Sequence, residues 1–415
     1  VSTDARKARE PLALRGFRTY WVASTIGFAG LSVSTIAVDV LVIEVLGATE
    51  AQVGFVRAAQ FLPYLLIGLV AGALVDRWRR QRTLIVGNLV QAALVLVIPL
   101  LFMLGSLSVW LTAAMLFAAG CCGVFIAAAE QAYLPDLVPR RSLVLANARL
   151  GQSMTIAQTS GPAAGGLLLT ALSAPLALVA TSAARIGTAL MIARIRRPEP
   201  PPHPTKTRML RGIAEGVGFV YRHRTLAPLA ASTHVWFFAN SIAMTVLALF
   251  ALRGLGLSPV AYGLVLTAAG VGGLVGALAA NAAAARMGEG NTIIASRGLC
   301  ALTWAGTALT PDFDATWTTV AALCAVQLLY GFSLGLEDPS EMAYRQTVTP
   351  RAMLGRVGST MRSANRTVAV IGALSGGVMA GVLDYRPTLL IVVGIFAAAA
   401  LVALLSPLRG ARVER

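Results

Sequence analysis

Residues 62–103 read LPYLLIGLVAGALV, DRWRRQR and TLIVGNLVQAALVLVIPLLFM in succession. The two outer runs belong to apolar stretches of about twenty residues, long enough to cross a hydrocarbon core of about 30 Å as helices. The hinge between them carries Arg77, Arg79, Arg80 and Arg82. Arginine at one end of a helical hairpin sets the side on which that end lies, because cytoplasmic loops retain Lys and Arg. Outward from this hairpin, roughly twelve such stretches lie between Phe17 and Leu408. Arg6, Lys7, Arg9, Arg15 and Arg18 precede the first, further basic clusters follow the second, fourth, sixth, eighth and tenth, and Arg409, Arg412 and Arg415 follow the twelfth. The connections around Gly47, Gly105, Ser173, Gly254, Asp312 and Asp384 hold almost no Lys or Arg. This alternation predicts a multi-pass protein of the cell (cytoplasmic) membrane with both termini in the cytoplasm.

Composition excludes a water-soluble globule, since 57% of the residues are hydrophobic and 13% are charged. The formal net charge of +16 does not imply nucleic acid, because the arginines are spread over short loops facing one leaflet, where they orient the chain and meet anionic headgroups. The basic N-terminus lacks a cleavage-type site after a short apolar core, so the first span is expected to stay as an anchor. Cys121, Cys122, Cys300 and Cys324 fall inside predicted spans without metal-ligand spacing, and no cofactor or metal is expected.

The chain repeats itself. A shift of 211 positions places Gly120 on Gly331, Glu130 on Glu341, Tyr133 on Tyr344, Pro139 on Pro350, Arg140 on Arg351, and Gly161, Gly165 and Gly166 on Gly372, Gly376 and Gly377. A parallel repeat of six helices follows, and with it an all-α fold of two pseudo-symmetric six-helix bundles. The expected boundaries are 1–193 for the first bundle and 223–415 for the second. Between them, 194–222 forms a cytoplasmic linker: Pro198, Pro200, Pro201, Pro202 and Pro204 forbid a helix, and Gly212 to Tyr221 reads as a short amphipathic one.

Small residues mark helix contacts, because lipid supplies no hydrophobic drive between spans and close backbone approach must do that work. Strips occur in span two (Gly68, Gly72), span five (Gly161, Pro162, Gly165, Gly166), span eight (Gly270, Gly272, Gly273, Gly276) and span eleven (Gly372, Gly376, Gly377, Gly381). Pseudo-symmetry predicts that span two faces eleven and span five faces eight.

Gly72-Ala-Leu-Val-Asp76-Arg77-Trp-Arg-Arg80-Gln-Arg82 is similar to the loop signature of the major facilitator superfamily, with Arg79 and Gln81 departing from the usual residues. With Gly161-Pro162-Ala-Ala-Gly165-Gly166 and Thr349-Pro350-Arg351-Ala-Met-Leu-Gly355-Arg356-Val, it resembles the branch holding enterobactin exporters and macrolide efflux proteins. The resemblance covers nearly the whole chain and implies the twelve-helix major facilitator fold. It also implies that Asp76 is the acid of a cytoplasmic latch, with Arg77 and Arg80 beside it and Arg356 or Arg362 as partners. The glycine-proline motif implies export, although Ala157 stands where the family has glycine.

Ionisable groups inside spans are costly and mark gates, ion paths or wet cavities. Asp39 and Arg57 lie at similar depth and are expected to pair; Asp39 as a lone proton site is the alternative. Glu130 in span four and Glu337, Asp338 and Glu341 in span ten lie toward the cytoplasmic end, as proton carriers or as gate bridges neutralised by Arg149, Arg345, Arg362 and Arg366. Arg185, in span six, has no partner legible in the sequence. A cargo chamber between the halves is expected to be lined by Trp236, Asn240, Gln327 and Tyr330, apolar with a few polar contacts.

Enzyme readings fail on local context. The two lysines, Lys7 and Lys206, follow no phosphate-binding glycine loop. Gly331-Phe-Ser333-Leu-Gly335 matches a nucleophile elbow in letters but sits inside a membrane helix. His234, early in span seven, is a hydrogen-bonded structural group or a titrating one. The reading is a monomeric secondary transporter, not an enzyme, exporting a small hydrophobic or amphipathic molecule such as an antibiotic, drug or siderophore by proton antiport. Its partners are the small-molecule cargo, protons and membrane lipids. Uptake, lipid movement between leaflets, and a non-transporting sensor or scaffold are the alternatives.

Overall fold

The computed structural model describes residues 10–75, 77–196, 199, 209–311 and 316–412. Among these no strand occurs. The first half forms α1 (Arg15–Val40), α2 (Glu50–Val75), α3 (Arg80–Met103), α4 (Val109–Leu137), α5 (Leu143–Ala171) and α6 (Ala174–Ala193). A shorter α7 (Met209–Arg222) precedes α8 (Leu226–Leu249), α9 (Pro259–Met287), α10 (Glu289–Leu309), α11 (Thr316–Val348), α12 (Leu354–Leu383) and α13 (Tyr385–Leu404). The expected spans one to six correspond to α1–α6, and the expected spans seven to twelve to α8–α13. Among the described residues, nine helices are long and apolar enough to cross a membrane. Polar residues dilute two of the others: Gln152, Ser153, Thr155 and Gln158 in α5, and Asn291, Ser296 and Arg297 in α10.

Local chemistry sets the helix starts. Thr49 and Gln52 form a reciprocal box at α2, with the Thr49 amide donating to Gln52 at 2.9 Å and the Gln52 amide to the Thr49 hydroxyl at 3.3 Å. Ser108 accepts from the Leu111 amide at α4, and Ser258 from Ala261 at α9, where Pro259 opens the helix. Gly288, at φ +85°, turns the chain between α9 and α10.

The chain divides into two compact units, Val1–Leu46 with Leu62–Lys206 and Gly47–Phe61 with Thr207–Arg415. The start of the second span, Gly47–Phe61, therefore groups with the second unit, unlike the expected boundary. The proposed linker prolines and Lys206 lie outside the described residues, as does Asp76. In the first unit α1 packs on α5 and α6, and α3 on α4 and α6. The second unit repeats this plan, with α8 on α12 and α13 and α10 on α11 and α13, and in it α9 pairs closely with α11.

Within each unit the glycine strips of spans five, eight and eleven close on neighbouring helices. A Cβ on Gly161 would stand 2.2 Å from the Ser32 Cβ, and one on Gly165 3.3 Å from the Val33 Cα, so this face of α5 closes on α1. Gly272 and Gly276 of α9 meet backbone oxygens of Leu328 and Phe332 on α11, while Gly331 and Gly335 of α11 meet those of Ala269 and Gly273 on α9. The letters of the nucleophile-elbow pattern thus serve helix packing. Gly372 and Gly376 of α12 close on α8, whereas Gly377 meets Gly54 of α2 within the second unit. Gly68 and Gly72 have nothing within 4 Å of an added Cβ.

Candidate functional site

Residues Tyr330, Ser333, Glu337, Glu341 and Arg345 recur every three or four positions along α11, so they share one face of that helix. The centre of this stripe is occupied by Arg297 of α10, whose side chain is 0% exposed. Its Nε donates to Glu337 Oε1 at 2.8 Å, and its Nη2 donates to the Thr233 hydroxyl at 2.8 Å and lies 3.5 Å from Glu341 Oε2. Its Nη1 donates to Ser232. Thr233 also donates to Glu341 Oε2 at 3.3 Å, and Arg345 donates to Glu341 Oε1 at 3.3 Å, one helical turn away. Two acids and two arginines from α10 and α11 are thereby tied to the hydroxyls of α8. The second oxygen of Glu337, Oε2, is buried without a hydrogen-bond partner among the described residues.

This arrangement corrects the choice of neutralising cations. Glu337 is held by Arg297, which sequence depth did not single out, and Glu341 by Arg297 and Arg345 rather than by Arg362. Arg149 reaches Glu10 at 3.5 Å, Arg366 lies over the Phe61 ring at 5.3 Å, and Arg356 pairs with Glu215 of α7. Arg362 is exposed. Asp338, one residue along from Glu337 and so turned about 100° away on the helix, is exposed.

Toward mid-helix, the predicted cargo residues pack together. Tyr330 donates to Asn240 of α8, Gln327 donates to the Thr307 hydroxyl at 3.2 Å, and Ser333 donates to the Tyr330 carbonyl at 2.6 Å beside Cys300. Trp304 meets Tyr330 edge-on at 5.3 Å and stacks on Phe396 at 6.4 Å, and Trp236 lies 6.1 Å from Phe396. Gln327 and Tyr330 are buried, while Trp236 and Asn240 are half-buried. His234 accepts or donates on both ring nitrogens, at 2.7 Å to Asn365 Oδ1 and 2.7 Å to the Tyr221 hydroxyl. A neutral ring with its proton on Nδ1 satisfies both contacts.

The first unit holds the counterpart. Arg185, unexplained by the sequence, donates to Asn88 Oδ1 at 3.2 Å and interacts electrostatically with Glu130. Asn88 stands 209 positions before Arg297, the same offset that separates the starts of α3 and α10, and Glu130 stands 211 before Glu341. Equivalent glutamates are thus served by arginines on different helices, α6 in one unit and α10 in the other. Asp39, at the end of α1, is buried. Arg80 bridges Asp136 at 2.6 Å and its amide donates to Glu199, while Arg77 is exposed.

Two bundles of long apolar helices with buried acid and arginine clusters define a multi-pass membrane protein of the major facilitator fold. The chain matches the transmembrane secretion effector family (MFS_3) over residues 7–414, and it belongs to that family. It is 28% identical over 396 residues to the multidrug efflux pump Tap of Mycolicibacterium fortuitum, covering 92% of each chain. Identity is also 28% to the multidrug efflux pump Tap of Mycobacterium tuberculosis (strain ATCC 25618 / H37Rv), over 89% of this chain and 88% of that one. In fold it resembles the nucleoside transporter NupG, with a TM-score of 0.75 at 12% identity, covering 94% of this chain and 98% of that one. A bacterial homologue of the iron transporter ferroportin gives 0.74 at 15% identity, with 94% and 98% covered.

Proposed function

We propose that this chain is a secondary active exporter in the cytoplasmic membrane, both termini inside, which moves small hydrophobic or amphipathic molecules outward by proton antiport with alternating access. The family and the efflux pumps it resembles support the transport class; a carrier of this kind performs no covalent chemistry and needs no cofactor. Glu337 is the observation that carries the coupling. One oxygen is held by Arg297 at 2.8 Å, and the other lies buried without a partner among the described residues.

The chemistry follows from that asymmetry. An ionised Glu337 binds Arg297 through a charge-assisted hydrogen bond in a dry site, where such a bond is stronger than in water. A proton arriving at Oε2 removes the negative charge, weakens the grip on Arg297, and leaves that cation to Glu341, Ser232 and Thr233. A conformational equilibrium responds when one of its states favours the paired form. Asn240, joined to Tyr330 on the same α11 face, and Trp236 are the cargo contacts nearest this switch. Glu130 with Arg185 is the corresponding charged element of the first unit. Asp76, Arg77, Arg80, Arg356 and Arg362 remain the proposed cytoplasmic gate.

Everted vesicles test the proposal. The native chain accumulates an amphipathic dye such as ethidium, and a protonophore collapses the accumulation. Glu337→Gln keeps dye binding, measured by fluorescence anisotropy, and loses proton-driven accumulation. Accumulation by the Gln variant that a protonophore still collapses would remove Glu337 from the coupling role.

A further inference from the structure

We infer that the first unit carries a binding groove for an anionic phospholipid, formed between α3 and α4. A cavity of about 570 Å³ opens beside the loop that joins α2 to α3, and Arg77, Arg79, Arg82 and Trp78 surround its mouth. All four are exposed. Arg80, the first residue of α3, turns to Asp136, but among the described residues Arg77, Arg79 and Arg82 have no acidic partner. Three positive charges therefore face one opening. Below them the wall changes character at Val86, Val90, Cys122 and Phe125. Val86 and Val90 expose 57% and 44% of their surface, and the Trp78 ring sits 5.5 Å from that of Phe125 at the junction of the basic and apolar parts.

The dimensions select the ligand. From Arg82 to Val90 a helix rises about 12 Å, close to the roughly 15 Å of hydrocarbon in one leaflet. A soluble phosphate compound would meet the arginines and leave the apolar wall uncovered. A neutral lipid would cover the wall and leave the cations unanswered. An anionic phospholipid satisfies both, with its phosphate on Arg79 and Arg82 and one acyl chain along the valines, while Trp78 occupies the interfacial level that suits an indole. Basic residues at a membrane surface each raise affinity for anionic lipid about fivefold. Arg140 and Arg141, also exposed and basic, lie outside the lining of this groove and supply the control.

The purified full chain in detergent, titrated with phosphatidylglycerol or phosphatidylcholine and read by native mass spectrometry, provides the test. Phosphatidylglycerol is expected to be retained at least tenfold more strongly. Arg79→Gln with Arg82→Gln should lower its affinity about 25-fold without changing that of phosphatidylcholine, and Arg140→Gln with Arg141→Gln should change neither. Val86→Trp with Val90→Trp fills the groove and should weaken phosphatidylglycerol binding at least tenfold while keeping the basic mouth; this pair carries the test should the arginine pair fail to fold. Equal retention of the two lipids, or unaltered phosphatidylglycerol binding in either groove pair, would overturn the inference. Competition by glycerol phosphate at the lipid's own concentration would do so too, because it would identify a site for a free anion.

Discussion

Arg297 lies where a charge is hardest to keep, and its side chain is satisfied on every side by Glu337, Glu341, Ser232 and Thr233. Removing one member of a buried pair strands the other, which costs about 3–5 kcal/mol. Arg297→Ala is therefore expected to lower stability by about that amount, and Arg297→Ala with Glu337→Ala by less than the single change, because the double variant leaves fewer uncompensated charges. Thermal unfolding of the detergent-solubilised protein, followed by tryptophan fluorescence, measures both. The acids of this cluster were legible because intramembrane carboxylates stand out in an apolar helix, and Arg345 follows Glu341 by one turn. Arg297 was not. Its partner Glu337 is 40 positions away on another helix, and depth alone offers several arginines at that level. The internal repeat held the missing signal, since the offset from Asn88 to Arg297 nearly matches that from Glu130 to Glu341.

At the scale of helices, glycine positions could be read while the surfaces they close on could not, because partner choice depends on helix rotation as well as spacing. Gly331 illustrates the constraint. A Cβ there would stand 1.7 Å from the Ala269 carbonyl oxygen, an atom of a packed helix backbone. Gly331→Ala should force α9 and α11 apart and cost about 2–3 kcal/mol or more. Gly68→Ala, with nothing within 4 Å, should be neutral or gain a few tenths of a kcal/mol through helix propensity. Melting temperatures of the two variants compare these directly, and equal shifts would show that the α9–α11 contact is looser than its geometry. The turn between α12 and α13 presents the opposite case. Asp384 adopts φ 67° and ψ 173°, a region that belongs to glycine. Asp384→Gly should relieve strain and stabilise by about 1 kcal/mol, once the added chain entropy is subtracted.

Across the whole molecule, the repeat governs both sequence and backbone. The 3-10 turns Arg140–Ser142 and Arg351–Met353 follow Pro139 and Pro350, α5 and α12 start 211 residues apart, and π-helical turns Leu41–Val45 and Phe250–Gly254 end the first and seventh spans 209 apart. A parallel repeat of six, as proposed, has its two halves thread the membrane in the same sense, which one of odd number would not. On that proposal, the arginine alternation assigns each connection to a side. After Cys121, Cys122, Cys300 and Cys324 are replaced by serine, single cysteines introduced as Ser106→Cys and Ser173→Cys should react with a membrane-impermeant maleimide on intact cells. Arg141→Cys and Arg409→Cys should react only after permeabilisation. These four exposed positions sample both sides of the alternation. Labelling of Arg409→Cys on intact cells would invert the orientation, and with it the direction in which the Glu337 switch couples proton entry to cargo.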